Sequence, residues 1–236
     1  TAPALSKFAH RGGPAEGLSM SETTALGLSA RTGSVMVAFT VIFTAVMAFT
    51  YGATKTQIEA SATEEKMKLI SEVLPATAYD NVLLDDVITV GPTRELGLDD
   101  GGHIYRARKA GQPAALLLEA TAPDGYSGRI ELIVAIRADG GVSGVRAVAH
   151  RETPGLGDYI DPRKDKNKKS PWITQFAELK AADLPRCKLT KDGGQIAYHT
   201  GATISARAVT TAVARAAGYA AANHDRLFAA PSGDKL

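Results

Sequence analysis

The 236 residues, 44% hydrophobic and 22% charged, are enough for one moderate domain with extensions or for two small ones. Twenty-seven Lys and Arg against 25 Asp and Glu leave a net charge of only +2, and with no basic helix or aromatic-rich strand beside it nothing points to nucleic acid. The single cysteine, Cys187, excludes an intramolecular disulfide, a CxxC redox pair and an iron–sulfur ligand set, so any redox work needs another cofactor.

Residues 1–31 form a head rich in Gly, Ala, Ser and Thr, expected to be loosely ordered apart from a short helix at 21–29. Residues 32–54 carry no charge, and these twenty-three predict a transmembrane helix, rising roughly 30–35 Å. The threonines inside can bond back to their own helix. A cleaved signal peptide fits less well, because the run starts late and passes into Lys55 and Glu59 without a small-residue cleavage site. Lys7, Arg11 and Arg31 before the span nearly balance Lys55, Lys66 and Lys68 after it. Charge alone therefore leaves the orientation open, with Arg31 tilting it slightly toward an inside N-terminus.

Residues 55–84 read as a membrane-proximal helix and linker: Ile58, Ala62, Met67, Ile70 and Leu74 fall among Glu and Lys until Pro75 stops the helix. A folded domain follows over 85–225, with strands expected at Val87–Val90, 103–108, 114–120, 129–137 and Val142–Ala149. Pro123-Asp124-Gly125 and Asp139-Gly140-Gly141 supply turns, so the class is α+β with an antiparallel or mixed sheet. Next come the glycine-bearing loop 154–158, a basic segment with Arg163, Lys164, Lys166, Lys168 and Lys169, a helix over 172–180 and short strands at 187–190 and 195–199. Residues 226–236 are expected to be a flexible tail.

The chain's most informative stretch is YHTGATISARAVTTAVARAAGY, residues 198–219. Thr200 is placed to cap a helix on which Val209, Val213, Ala216 and Ala220 recur at helical spacing, putting Thr203 in its first turn. Free N–H groups there favour an anion, and the plain alternative is a capped surface helix without a ligand. The second stretch is HRETPGLG, residues 150–157, which on its own is either a surface turn or a site of close backbone approach.

Together the TGAT turn and the ETPGLG loop resemble the covalent-FMN subunits of ion-translocating electron-transport complexes, RnfG (RsxG) and NqrC. The likeness runs from the span onward, through the EVLP helix end at 72–75 and the Trp172 region, and lies nearer the RnfG member. It implies a single-span anchor in the bacterial inner membrane, a cytoplasmic head and an FMN-binding domain on the periplasmic side. It also implies FMN joined through its phosphate to Thr203, with Thr200, Gly201, Ala202 and Ser205 around the phosphoryl group. Glu152, Thr153, Gly155, Leu156 and Gly157 would lie by the flavin ring, with Glu152 organising the loop and His150 structural. Trp172 either walls the flavin or plugs the core. No residue takes a catalytic or metal-binding role.

The implied function is electron relay in a ferredoxin:NAD oxidoreductase complex that moves Na+ or H+. The partners would be the other membrane and redox subunits and, for maturation, a flavin transferase. The chain would be a redox component of that complex and not a stand-alone enzyme. A second reading, an anchored assembly or binding component without flavin, rests on Ala197, which stands six positions before Thr203 where the family usually has Asp. A soluble flavoenzyme with its own substrate is disfavoured by the span and by the lack of an acid–base pair near either motif.

Overall fold

The computed structural model describes residues 22–236, which divide into two units between Ser61 and Ala62; the rest of the expected head lies outside the described residues. Helix α1 is Glu22–Val73, so the short helix expected at 21–29 belongs to a longer one, and Pro75 follows its end as expected. Within it Gly27–Lys55 has a mean hydropathy of 2.0 and, at about 43 Å for 29 residues, is long enough to cross a bilayer. Its apolar side chains, Met36, Phe39, Phe43, Met47 and Phe49 among them, stay exposed, whereas a soluble core helix would bury them. Thr40 donates its hydroxyl to the Met36 carbonyl and Thr54 to that of Thr50, which satisfies these two hydroxyls within the helix.

The second unit is built on a five-stranded antiparallel sheet in meander order, β1 (Val87–Val90), β2 (Gly102–Lys109), β3 (Gln112–Ala122), β4 (Ile130–Arg137) and β5 (Val142–Ala149). Among the described residues every pair of neighbouring strands is antiparallel, and the one parallel contact with the sheet is an isolated bridge, Thr89 with Lys235. Between β2 and β3, Ala110 and Gly111 both take positive φ, as a two-residue hairpin turn requires.

Both faces of the sheet are covered, which explains why its central strands are apolar on both sides. On one face Leu116, Leu118, Leu132, Val134 and Val145 meet helix α2 (Thr203–Ala229) through Val209, Ala212, Val213, Ala216 and Ala220. These small residues let the helix lie close to the sheet, and each fully buried Val contributes about 1.5–3 kcal/mol. On the other face Ile70, Val73 and Leu74 pack on Tyr105, Leu117, Ile133 and Ala135. Gly144 on β5 is required here, because a Cβ would come within 2.8 Å of the Val73 backbone.

Three expected elements differ. The helix expected at 172–180 is a 3-10 helix, Trp172–Glu178, and the strands expected at 187–190 and 195–199 reduce to one parallel bridge, Leu189 with Ile196. The two segments share a few backbone bonds around that bridge, and beyond it Ala197 and His199 N–H turn to the side chains of Gln175 and Tyr159, which ends the ladder. The expected tail is ordered: α2 continues to Ala229, and the last residues run along β1. Thr89 N–H donates to the Asp234 carbonyl at 2.9 Å and Leu236 N–H to that of Thr89 at 2.9 Å. This strap covers a sheet edge that would otherwise expose unpaired backbone groups.

The strap is held by Arg106, 1% exposed on β2. It donates Nε to Asp86 at 2.6 Å and Nη1 to the Leu227 carbonyl at 3.0 Å and to that of Ala230, while Nη2 reaches Ser232 at 3.0 Å. Arg108, on the same face, adds bonds to Asp86 at 2.7 Å and to the Phe228 carbonyl at 3.0 Å. Two guanidinium groups thus bond the carbonyls at the C-terminal end of α2, where positive charge is favoured.

Candidate functional site

The site forms where three connections meet: the β3–β4 loop, the loop after β5 and the start of α2. Thr200, expected as the cap of α2, lies before the helix in a turn in which Ala202 N–H donates to the His199 carbonyl at 3.1 Å. Gly201 takes φ +90° at the third position of that turn, as a type II turn demands, so Thr200 cannot close the helix. The N-cap position falls to Ala202, and no side chain caps the helix. Its first N–H groups are therefore open to an acceptor from outside the helix. Thr203, half-buried at the first helical position, has no hydrogen bond to its hydroxyl among the described residues.

Tyr159 braces this turn. Its hydroxyl donates to the Ala202 carbonyl at 3.3 Å and accepts from His199 N–H at 3.4 Å, while its ring stacks on His199 with centroids 4.0 Å apart. Burial pushes the Tyr159 phenol up in pKa, so it stays protonated and able to donate.

Glu152, 5% exposed, ties the three connections together. Its Oε1 accepts from Ser127 N–H at 3.1 Å, on the β3–β4 loop, and its Oε2 accepts the Ser205 hydroxyl at 2.5 Å, on α2. Its own N–H donates to His150 Nδ1 at 3.2 Å, which leaves the neutral ring's proton on Nε2, 3.9 Å from Asp161. His150 thus spends one ring nitrogen on the backbone of the same loop and turns the other toward Asp161. Burial raises Asp161, but hydrogen bonds and charge from Arg163, with His150 adding less, bring its carboxyl below the usual range. Ser205, expected to offer a donor to the phosphoryl group, has committed its proton to Glu152.

Gly157 owes its identity to this carboxyl group. A Cβ there would stand 2.5 Å from Ser205 Oγ and 2.6 Å from Glu152 Oε2, whereas Gly155 has open space around it and a φ of +76°. The two glycines expected to act alike therefore serve different ends, close approach for Gly157 and backbone turn for Gly155. Gly157→Ala is expected to destabilise the fold by about 1–3 kcal/mol through overpacking, read as a lower midpoint in thermal or denaturant melts. A melt unchanged from the parent would show that Glu152 and Ser205 yield freely.

These contacts surround a cleft of about 120 Å³ lined by Tyr126, Glu152, Thr153, Leu156, Gly157, Gly201, Ala202, Thr203, Ile204 and Ser205. Most of the site residues expected from sequence are therefore brought together: Glu152, Thr153, Leu156 and Gly157 from one motif, Gly201, Ala202, Thr203 and Ser205 from the other. Thr200, Gly155 and Trp172 do not line it. Trp172 is a core residue, 6% exposed, edge-on to Tyr159 and Phe176 at 5.3 Å, with its indole N–H donating to the Ala197 carbonyl at 2.6 Å. The basic segment is an exposed loop hung on Asp161 and on Asp165, which accepts Trp172 N–H at 2.6 Å. Sequence reasoning missed Tyr126 and Tyr159. The signal for Tyr126 was an aromatic residue inside the turn PDGYSG; nothing local marked Tyr159.

Residues 125–218, which include every residue of the cleft, match the family model of the FMN-binding domain, and residues 28–73 match that of the RnfG N-terminal region. A Pseudoalteromonas atlantica protein described as an ion-translocating oxidoreductase complex subunit is 42% identical over 203 residues, 85% of this chain and 92% of its own. The chain belongs to the RnfG family. Proteins of the same description from Vibrio cholerae and Shewanella oneidensis are 38% and 37% identical, each covering at least 85% of this chain and 93% of their own. In this RnfG-family chain the FMN-binding match begins at Gly125, in the turn that Glu152 holds, and takes in the first four turns of α2.

The residues present fit that cofactor. An uncapped helix start faces a cleft whose close approach depends on a missing Cβ at Gly157, and the one carboxyl group beside it has both oxygens occupied by protein donors.

Proposed function

We propose that Thr203 carries FMN as a phosphoester and that the chain relays electrons through it as one redox component of an ion-translocating complex. The observation that carries this reading is a threonine hydroxyl without a hydrogen-bond partner among the described residues, at the uncapped start of α2 and inside the cleft that the ETPGLG loop closes. A phosphodiester bears a single negative charge, which the dipole at a helix start favours by about 0.3–1 kcal/mol before hydrogen bonds are added. Gly201 and Ala202 keep the approach to that charge clear, and Thr153, Leu156 and Gly157 form the opposite wall. Bound FMN supplies the redox chemistry; the protein supplies position and surroundings. A covalent tether suits a relay, since the carrier cannot leave between transfers.

Thr203 is an acceptor of a group installed by another enzyme, a flavin transferase, because no general base contacts its hydroxyl among the described residues. The relatives' description as subunits of an ion-translocating oxidoreductase complex supports partnership with further membrane and redox subunits; we take the coupled ion to be Na+ or H+. We place the anchor over 32–54 in the inner membrane, the head 1–31 in the cytoplasm, a membrane-proximal segment over 55–84 and the FMN domain, starting at 85, on the periplasmic side. Electrons passing through this chain would come from, or go to, ferredoxin and NAD through neighbouring centres.

Ala197 favours the flavin-free assembly reading, and one experiment separates the two. Membranes holding the whole complex with Thr203→Ala in this chain are compared with the parent for ferredoxin-to-NAD electron transfer. Relay predicts a fall of at least tenfold with the complex still assembled; an assembly role predicts parental rates.

A further inference from the structure

Five large apolar side chains of the folded unit are exposed among the described residues: Val82, Tyr126, Val148, Leu156 and Ile204. Three of them, Tyr126 at 66%, Leu156 at 55% and Ile204 at 47%, line the cleft that holds Thr203. Scattered exposed apolar residues are ordinary, but three around one small cleft mark a surface that something covers. The cleft is small, and these three exposed side chains form its rim. The ring of a cofactor anchored at Thr203 would therefore meet them.

Of the rim residues Tyr126 alone presents a flat π surface, and flat aromatic systems gain by offset stacking beyond the area they bury. Its backbone is also held in place. Ser127 N–H, next to it, is fixed to Glu152 at 3.1 Å, and a Cβ at Gly125 would collide with the Gly128 carbonyl, so the turn is drawn tight against the carboxyl group that also holds Ser205. The position of Tyr126 relative to the start of α2 is thereby set through a single side chain.

We propose that Tyr126 is the stacking partner of the flavin ring, an inference that rests on the reading of Thr203 as the attachment point. A phenol in contact with a photoexcited flavin gives it one electron and takes the same electron back, so the light energy is lost as heat and no net oxidation results. Tyr126 should therefore quench the bound flavin's emission.

The test uses the full chain, loaded by a co-expressed flavin transferase, as parent, Tyr126→Leu, Tyr126→Phe and Thr203→Ala. Fluorescence is measured per covalently bound flavin, together with its collisional quenching by iodide. Emission per flavin should rise several-fold in both Tyr126 variants, and iodide quenching should increase about twofold in Tyr126→Leu alone, because Phe keeps the ring as a shield. Parental emission and iodide access in Tyr126→Leu would overturn the proposal and leave the rim to a partner protein. If Tyr126→Leu loads poorly, the emission of Tyr126→Phe decides by the same ratio. An unloaded parent, or flavin retained by Thr203→Ala, would instead refute the attachment reading, and is seen before the Tyr126 comparison is made.

Discussion

Thr203→Ala is expected to remove all covalent flavin while leaving the fold intact. On loading, the tryptic peptide 192–207 of the parent should gain about 440 Da, and that of the variant nothing. The loss is complete because a phosphoester needs the hydroxyl oxygen, and the nearest hydroxyls in the chain do not replace it: Thr200 lies outside the cleft, and Ser205 is 1% exposed and donates its hydroxyl to Glu152. The fold tolerates the change because the hydroxyl makes no hydrogen bond among the described residues, and Ala has the better helix propensity. The melting temperature should stay within about 2 °C of the parent. A variant that kept the added mass would place the flavin on another residue and remove the basis for the proposed relay.

The largest stability effect is expected at a position far from the cleft. Arg106→Ala leaves Asp86 with Arg108 as its remaining guanidinium partner and strips the Leu227 and Ala230 carbonyls of their buried donor. Removing one member of a buried ion pair costs about 3–5 kcal/mol, for a domain of this size roughly 10 °C in melting temperature. Hydrogen exchange should speed up first in the strap at 230–236, which Arg106 and its partners hold against β1. A loss below about 1 kcal/mol would mean that water or Arg108 replaces those bonds.

The same cluster sets an acid limit. Burial raises Asp86, but hydrogen bonds from Arg108 and Ser232, with the charge and bonds of Arg106, outweigh it and hold its carboxyl below the usual range. A carboxyl depressed in the folded state adds stability that is fully present above its unfolded pKa of about 3.9 and is lost as pH falls through the folded value. The parent should therefore lose stability below about pH 4, and Arg106→Ala should show a weaker dependence in that range.

Much of this fold was legible because its signals are local. Apolar runs bounded by turn residues, with clear period two at 129–137, located all five strands to within a few residues, and the run of uncharged residues located the span. Pro75 ended α1 and small apolar residues marked the buried stripe of α2, both through steric rules that act within a turn or two. The misses have the opposite character. The tail 226–236 looks unstructured by itself, and β1, Arg106 and Arg108, more than a hundred residues earlier, order it. Trp172 offered both a cofactor wall and a core plug, and packing against Tyr159 and Phe176 chose the core.

The site divides in the same way. The sequence by itself determined the residue types that chemistry needs, a threonine hydroxyl at a helix start and a glycine-bearing loop, because motif and capping chemistry are carried by neighbours in the chain. Only the tertiary structure decided that Glu152 joins Ser127, His150 and Ser205, that Gly157 is there to admit that carboxyl group, and that Tyr126 stands at the rim. The bond between Glu152 and Ser205 alone crosses 53 residues of chain. Such relations depend on how two loops and a helix converge over one end of the sheet, and no spacing rule reaches that far.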